Sequence, residues 1–252
     1  HVRMPPAPSL ERLTLTVEQA AFPQAYLSYL QPFLIGTTLD RLETSGRISG
    51  DLRVRNGRPE SARMLLQDVG IDDQLERFSF RGLQGPLHWT QDASAPPTAI
   101  RWDGGQLYRI NIGAGRLDAR LFDTNFHLRR PLRLPLEDGA LHLDVLSARD
   151  LGRPQFSAEL EGRLEPISLQ ALSRALEWPL MRGTVSGTIP RVQYRNRTLQ
   201  LDGALRAEAF DGTLVLDRFR LNDPLGRLPH LEADIRMRNL DLRLLTGTFE
   251  FG

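Results

Sequence analysis

Gly46-Arg47-Ile48-Ser49-Gly50-Asp51-Leu52-Arg53-Val54-Arg55-Asn56-Gly57 is the stretch that decides the fold. Ile48, Leu52 and Val54 alternate with Arg47, Asp51, Arg53 and Arg55, the period-two pattern of a strand with one dry and one wet face. Asn56-Gly57 then supplies the positive φ that a two-residue hairpin requires, so the next strand should return antiparallel.

The same alternation recurs along the chain: Tyr108, Ile110 and Ile112; Leu117, Ala119 and Leu121; Leu141, Leu143 and Val145; Phe156, Ala158 and Leu160. It continues with Leu199, Leu201 and Leu205, with Leu231, Ala233, Ile235 and Met237, and with Leu240, Leu242 and Leu244. The parity switch between Met237 and Leu240 predicts a bulge. Turn signals at Asp103-Gly104-Gly105, Glu137-Asp138-Gly139, Asp211-Gly212 and Asn222-Asp223-Pro224 separate the runs, and Asp92–Pro97 reads as an exposed loop. The fold class is therefore mainly β, a long antiparallel meander. A dozen strands about 4.8 Å apart would make a sheet about 55–60 Å long, which curls or folds on itself, its apolar face buried by closure, by its own opposite half or by a ligand.

Two segments carry helical spacing instead. Pro23 with Leu27, Leu30 and Leu34 predicts one short amphipathic helix, and Ser168 as N-cap with Leu169, Leu172 and Leu176 predicts another. Each precedes a similar pentapeptide, Gly46-Arg47-Ile48-Ser49-Gly50 and Gly183-Thr184-Val185-Ser186-Gly187. Arg55-Asn56 with Arg195-Asn196, Arg77-Phe78 with Arg218-Phe219, and Leu27 with Leu169 give further matches in the same order. They predict a repeat of about 140 residues, with a first unit over 20–165 and a second, truncated unit over 166–252, in a fragment of a larger repeat protein.

Composition excludes several functions. The 252 residues hold no Cys, which removes thiolate metal sites and thiol catalysis. A net charge of +1 speaks against a nucleic-acid partner. No run of 18 apolar residues is present to form a membrane-spanning helix. The five histidines lack metal or triad company, Gly113-Ala114-Gly115 lacks the third glycine and helix of a dinucleotide fingerprint, and the acidic residues fall at turns or on polar faces. No metal, cofactor or catalytic residue is assigned, and the chain is expected not to be an enzyme.

The helix-then-meander units, the Gly-x-Ile/Val-Ser-Gly strand starts, Leu199–Leu205 and the closing Leu244-Leu245-Thr246-Gly247-Thr248-Phe249-Glu250-Phe251-Gly252 resemble the AsmA-like proteins. Within them the resemblance favours the YdbH branch, related to TamB and YhdP. It implies a periplasmic protein of the Gram-negative envelope, anchored in the inner membrane through its full-length chain, whose U-shaped β-groove carries phospholipid acyl chains between inner and outer membranes. The dry face of the strands suits that role, because each CH₂ withdrawn from water gains about 0.8 kcal/mol without any directional contact. The residues placed along such a groove are Ile48, Leu52, Val54, Phe78, Phe80, Tyr108, Ile110, Ile112, Leu199, Leu201, Leu205, Leu231, Ile235 and Met237. Alternation reports a dry face without saying what keeps it dry, so a non-catalytic envelope scaffold with no lipid cargo remains the alternative. Strand-edge self-association of the fragment is a further expectation.

Overall fold

The computed structural model describes residues 11–27, 31, 40–209, 212–223 and 230–239. Seventeen strands form one sheet. They are β1 (Arg12–Ala21), β2 (Leu42–Arg55), β3 (Arg58–Asp73), β4 (Phe78–Thr90), β5 (Thr98–Trp102), β6 (Gly104–Leu107), β7 (Ile110–Ile112), β8 (Gly115–Phe122) and β9 (Asn125–Leu128). β10 (Leu132–Leu136), β11 (Gly139–Arg149), β12 (Ser157–Ser168), β13 (Thr184–Arg195), β14 (Thr198–Asp202), β15 (Leu205–Ala209), β16 (Gly212–Asn222) and β17 (His230–Arg238) follow.

Consecutive strands share rows. β5 and β6 both pair with β4, β7 and β8 return against them, and β9 with β10 forms the next row against β11. β14 and β15 both pair with β13 on one side and β16 on the other. With four such shared rows, the seventeen strands make a thirteen-row antiparallel meander in chain order. One short parallel contact interrupts it, Trp89 with Leu121 and Thr90 with Phe122, where the 91–97 loop leaves the sheet between β4 and β5. In that loop Ala95 is buried and its neighbours are exposed.

The hairpin chemistry follows the turn residues. Asn56 (φ 50°) and Gly57 (φ 74°) close β2 on β3, and Glu137 (φ 49°) with Asp138 closes β10 on β11. Asn196 and Arg197, both at positive φ, close β13 on β14. Three strand readings change. Asp103-Gly104-Gly105 is not a hairpin, because the strands on either side of Asp103 continue along the same neighbour, β4. The reversal comes instead at Tyr108 (φ 49°) and Arg109, which join β6 to β7. Leu199–Leu205 is not one uninterrupted strand either, since Gly203 (φ 116°) breaks the row between β14 and β15.

Val145 is the third correction. The register slips between Leu143 and Val145, so the inward parity passes from Leu143 to Leu146 and Val145 is exposed.

Of the predicted pair, the second helix lies wholly within the described residues, α1 (Leu169–Ala175), and it is shorter than its leucine spacing promised. The Ser168 side chain accepts from the Ala171 backbone N–H at 3.3 Å, while Leu176 already serves as C-cap, ending the helix before Pro179. Of the first predicted helix, a helical turn at Gln24–Leu27 is described, with the Leu27 N–H donating to the Pro23 carbonyl at 3.0 Å. Leu30, Pro32 and Leu34 lie outside the described residues, as do the Met237/Leu240 parity switch and the closing Leu244–Gly252 segment.

Candidate functional site

The dry face is continuous across the sheet. Leu134 stands opposite Leu141, which stands opposite Leu164, then Gly187, Ala207, Leu214 and finally Met237. Every position on that seven-row line is apolar. On the other flank, Val17 faces Gly50, Gly50 faces Met64, and Met64 faces Leu87. A middle line runs from Ile71 to Phe80, Gly105, Ile112 and Leu136. The wet face carries cross-strand charge pairs instead, such as Arg133 and His142 on Glu165, and Arg191 on Glu159 and Glu161.

Glycines on or beside these lines sit hard against the next strand. A Cβ on Gly50 would lie 2.1 Å from the Arg63 carbonyl oxygen, one on Gly105 2.0 Å from that of Ser79, and one on Gly162 2.0 Å from that of His142. A side chain at these positions would meet the neighbouring backbone, so glycine is what permits the close approach.

Thirteen of the fourteen residues placed along the groove from sequence lie on this apolar face. Ile112 is buried and Ile48, Phe80 and Ile110 pack against the core, while Leu52, Val54, Phe78, Leu199, Leu201 and Leu205 are half-buried. Leu231, Ile235 and Met237 are more than half exposed. Tyr108 is the exception: it sits in the β6–β7 turn, 59% exposed, because positive φ at that position reverses the chain.

The middle of the face was underread. Val69, Leu83, Trp102, Leu132, Leu134, Leu136, Leu143 and Ile167 form its most buried part. The Leu132-Arg133-Leu134-Pro135-Leu136 alternation carried the signal, and Pro135 obscured it, since proline inside a run demotes a strand. Trp102 donates its indole N–H to the Gly113 carbonyl at 3.0 Å and packs edge-on to Phe80 with ring centroids 5.7 Å apart.

Burial along the face is uneven. Among the described residues fifteen hydrophobic side chains are buried and fourteen large ones are exposed, so the apolar surface is covered at the centre and open at the flanks. At one flank Leu15 and Val17 of β1 are exposed, and at the other every residue of β17 is.

Two strand pairs of the sheet share one register. β1 pairs with β2 and β12 pairs with β13 in the same register: Ala21 on Arg47 and Ser168 on Thr184, Ala20 on Ile48 and Ile167 on Val185, Val17 on Gly50 and Leu164 on Gly187, each with its slip at the same place. Phe22 N–H donates to the Gly46 carbonyl at 3.0 Å, and Leu169 N–H to that of Gly183 at 2.9 Å. Gly46 and Gly183 both hold positive φ. Two of the sequence matches do not correspond. Leu169 takes the place of Phe22, not of Leu27, and Arg77 lies in the turn before β4 whereas Arg218 lies within β16. The sheet runs through residue 166 unbroken, within β12.

Titratable groups serve structure. The buried Asp73 carboxylate accepts from the Arg77 backbone N–H, Nε and Nη2 at 3.1, 2.6 and 2.8 Å, and its pKa is pulled down to about 2, chiefly by the Arg77 side chain. Glu165 is likewise held at about 2 by Arg133 and then His142. Burial lowers His127, whose ring stacks on Phe122, and Arg149 and Arg120 add to the effect. Among the described residues no group of three or more His, Asp or Glu side chains is placed to hold a metal ion, and no helix is long and apolar enough to cross a membrane.

No family model, curated protein or solved structure matches this chain.

Proposed function

We propose that this chain is a segment of a bridge-like lipid transfer protein, whose apolar β-groove holds phospholipid acyl chains and passes them between membranes. One observation carries the reading: the apolar cross-strand lines continue row after row into strands whose inward side chains stay exposed, as on Leu15 (48%), Ile235 (56%) and Met237 (55%). A core made only for stability gains nothing from such side chains, whereas a stripe that shelters a sliding hydrocarbon tail needs apolar contact and no directional bonds. Headgroups would stay in water, and the proposal contains no catalytic step.

The AsmA-like affinity, in its YdbH branch, belongs to this proposal, on the arrangement quoted from the sequence. With it go a periplasmic location and a parent chain anchored in the inner membrane and reaching toward the outer one.

The test is direct. The purified chain, passed through gel filtration, is analysed by native mass spectrometry and by organic extraction. Co-purifying phospholipid in stoichiometric amount supports the reading. A lipid-free chain that also fails to take up fluorescent phospholipid from vesicles favours the cargo-free scaffold.

A further inference from the structure

The exposed hydrophobic side chains that sit on loops are distributed unequally between the two ends of the strands. Among the described residues, Leu27 follows β1, Leu75 lies in the β3–β4 turn, Tyr108 is in the β6–β7 turn, and Trp178 and Leu180 follow α1. All five belong to the same end of the meander, where β1 passes to β2, β3 to β4, β6 to β7 and β12 to β13. In the described loops of the opposite end one such side chain, Leu151, is exposed, in the β11–β12 loop.

These turns are neighbours along one rim. Gln74 N–H donates to the Arg41 carbonyl at 3.1 Å, Tyr108 N–H donates to the Arg77 carbonyl at 2.7 Å, and Arg109 pairs with Glu177 at 2.5 Å. The last contact sets the Tyr108 turn beside the Trp178 segment.

We propose that this rim docks on a phospholipid bilayer surface. Its apolar residues stand one or two to a turn on four turns of this rim instead of forming one flat patch, which suits a fluid interface better than a shaped protein partner. Exposed Trp and Tyr, with an apolar ring and a polar atom, are the side chains that settle at the headgroup level. Exposed arginines at this end, Arg41, Arg109, Arg174 and Arg182, are matched by the exposed acids Glu43, Asp72, Glu76, Asp138 and Glu177. Insertion of apolar side chains therefore drives the docking, and anionic attraction contributes little. This inference stands apart from the cargo reading, since a rim can dock whether or not the groove holds a tail.

The experiment mixes the purified chain with phosphatidylcholine vesicles, and separately with vesicles containing phosphatidylglycerol, and measures co-sedimentation. Lipid uptake into the groove alone does not sediment protein, so the readout is independent of cargo. Binding should be similar for both vesicle types and persist in about 0.5 M salt, where the Debye length falls to about 4 Å. Trp178→Ala and Leu180→Ser should each weaken it about tenfold, while Leu151→Ser at the far end should not change it. Trp89 and Trp102 donate their indole N–H groups to internal carbonyls, so quenching by lipids brominated near the headgroup should report Trp178 and vanish in Trp178→Phe. Absence of binding, binding lost in salt, or binding equally weakened by Leu151→Ser overturns the proposal. Each variant alters an exposed side chain, and an unchanged melting temperature shows that the fold is intact.

Discussion

Gly50 and Gly187 occupy the same place in the sheet: each faces an apolar residue across the preceding strand, and a Cβ on either would meet the carbonyl oxygen of an arginine on the following strand, Arg63 at 2.1 Å or Arg206 at 2.2 Å. The pentapeptides are therefore alike because one backbone geometry recurs, a close approach that only glycine allows.

Substituting either glycine should expose this constraint. Gly50→Ala and Gly187→Ala force a backbone shift and should each cost about 1–3 kcal/mol, whereas Gly57→Ala, at positive φ but in open space, should cost about 1 kcal/mol. Urea unfolding curves of the three variants test the ranking. Equal costs at all three positions would mean that the close approach has no energetic weight.

Ile112 and Ile235 lie on the same apolar face, 4% and 56% exposed. Ile112→Asp buries a carboxylate among leucines and should prevent folding, because an unpaired buried charge costs several kcal/mol. Ile235→Asp should leave the urea midpoint nearly unchanged and reduce co-purifying phospholipid several-fold. If Ile235→Asp unfolds the chain, its face is sealed in solution and the groove reading fails there; if lipid content is unchanged, Ile235 is no part of the lining.

The contrast between those two residues marks how far the sequence could be read. Alternation identified strands and their dry face, since side-chain parity is a local property: Ile48 to Val54 and Leu231 to Met237 were legible on their own. What the rows do to parity was not. The slip at Val145 depends on its pairing with β12, and the break at Gly203 and the reversal at Tyr108 on positive φ values, while the parity of the apolar positions continues through all three. Degree of burial was equally hidden, because it depends on the row a residue occupies: Ile112 lies in the sixth row of thirteen and Ile235 in the last. The two glycine pentapeptides mark the shared register of β1–β2 and β12–β13, but the match of Leu27 with Leu169 does not fall on it, since spacing inside a helix says nothing about where the strand before it ends.

Ser173 links α1 to the rim. Its buried hydroxyl donates to the Leu169 carbonyl at 2.7 Å and accepts from the Met181 N–H at 3.1 Å, tying the Trp178–Leu180 segment back on the helix. Ser173→Ala leaves the Met181 N–H without this acceptor and should cost about 1–3 kcal/mol. Amide hydrogen exchange should show Met181 losing protection while the β2–β3 strands keep theirs. Loss of protection throughout the sheet would mean that α1 and the sheet unfold as one unit, and that Ser173 does not act locally.

Asp73 makes the low-pH behaviour predictable. Its folded pKa of about 2 lies below the ordinary value of 3.8, so the ion pair with Arg77 contributes stability that is fully present above about pH 4–5 and fades as pH falls toward 2. Asp73→Asn keeps the shape and one acceptor but removes the charge, and should cost about 1.5–3 kcal/mol at pH 7, the range for hydrogen bonds to charged groups. Because the variant has already lost what acid takes from the wild type, the two stabilities should converge between pH 5 and pH 2. Glu165 supplies a parallel loss over the same range in both proteins, so the variant still weakens in acid, with a shallower slope. Urea midpoints at pH 7, 4 and 2.5 decide the matter. A constant gap between the curves would show that the Asp73 carboxylate is not the group whose protonation opens the β3–β4 turn.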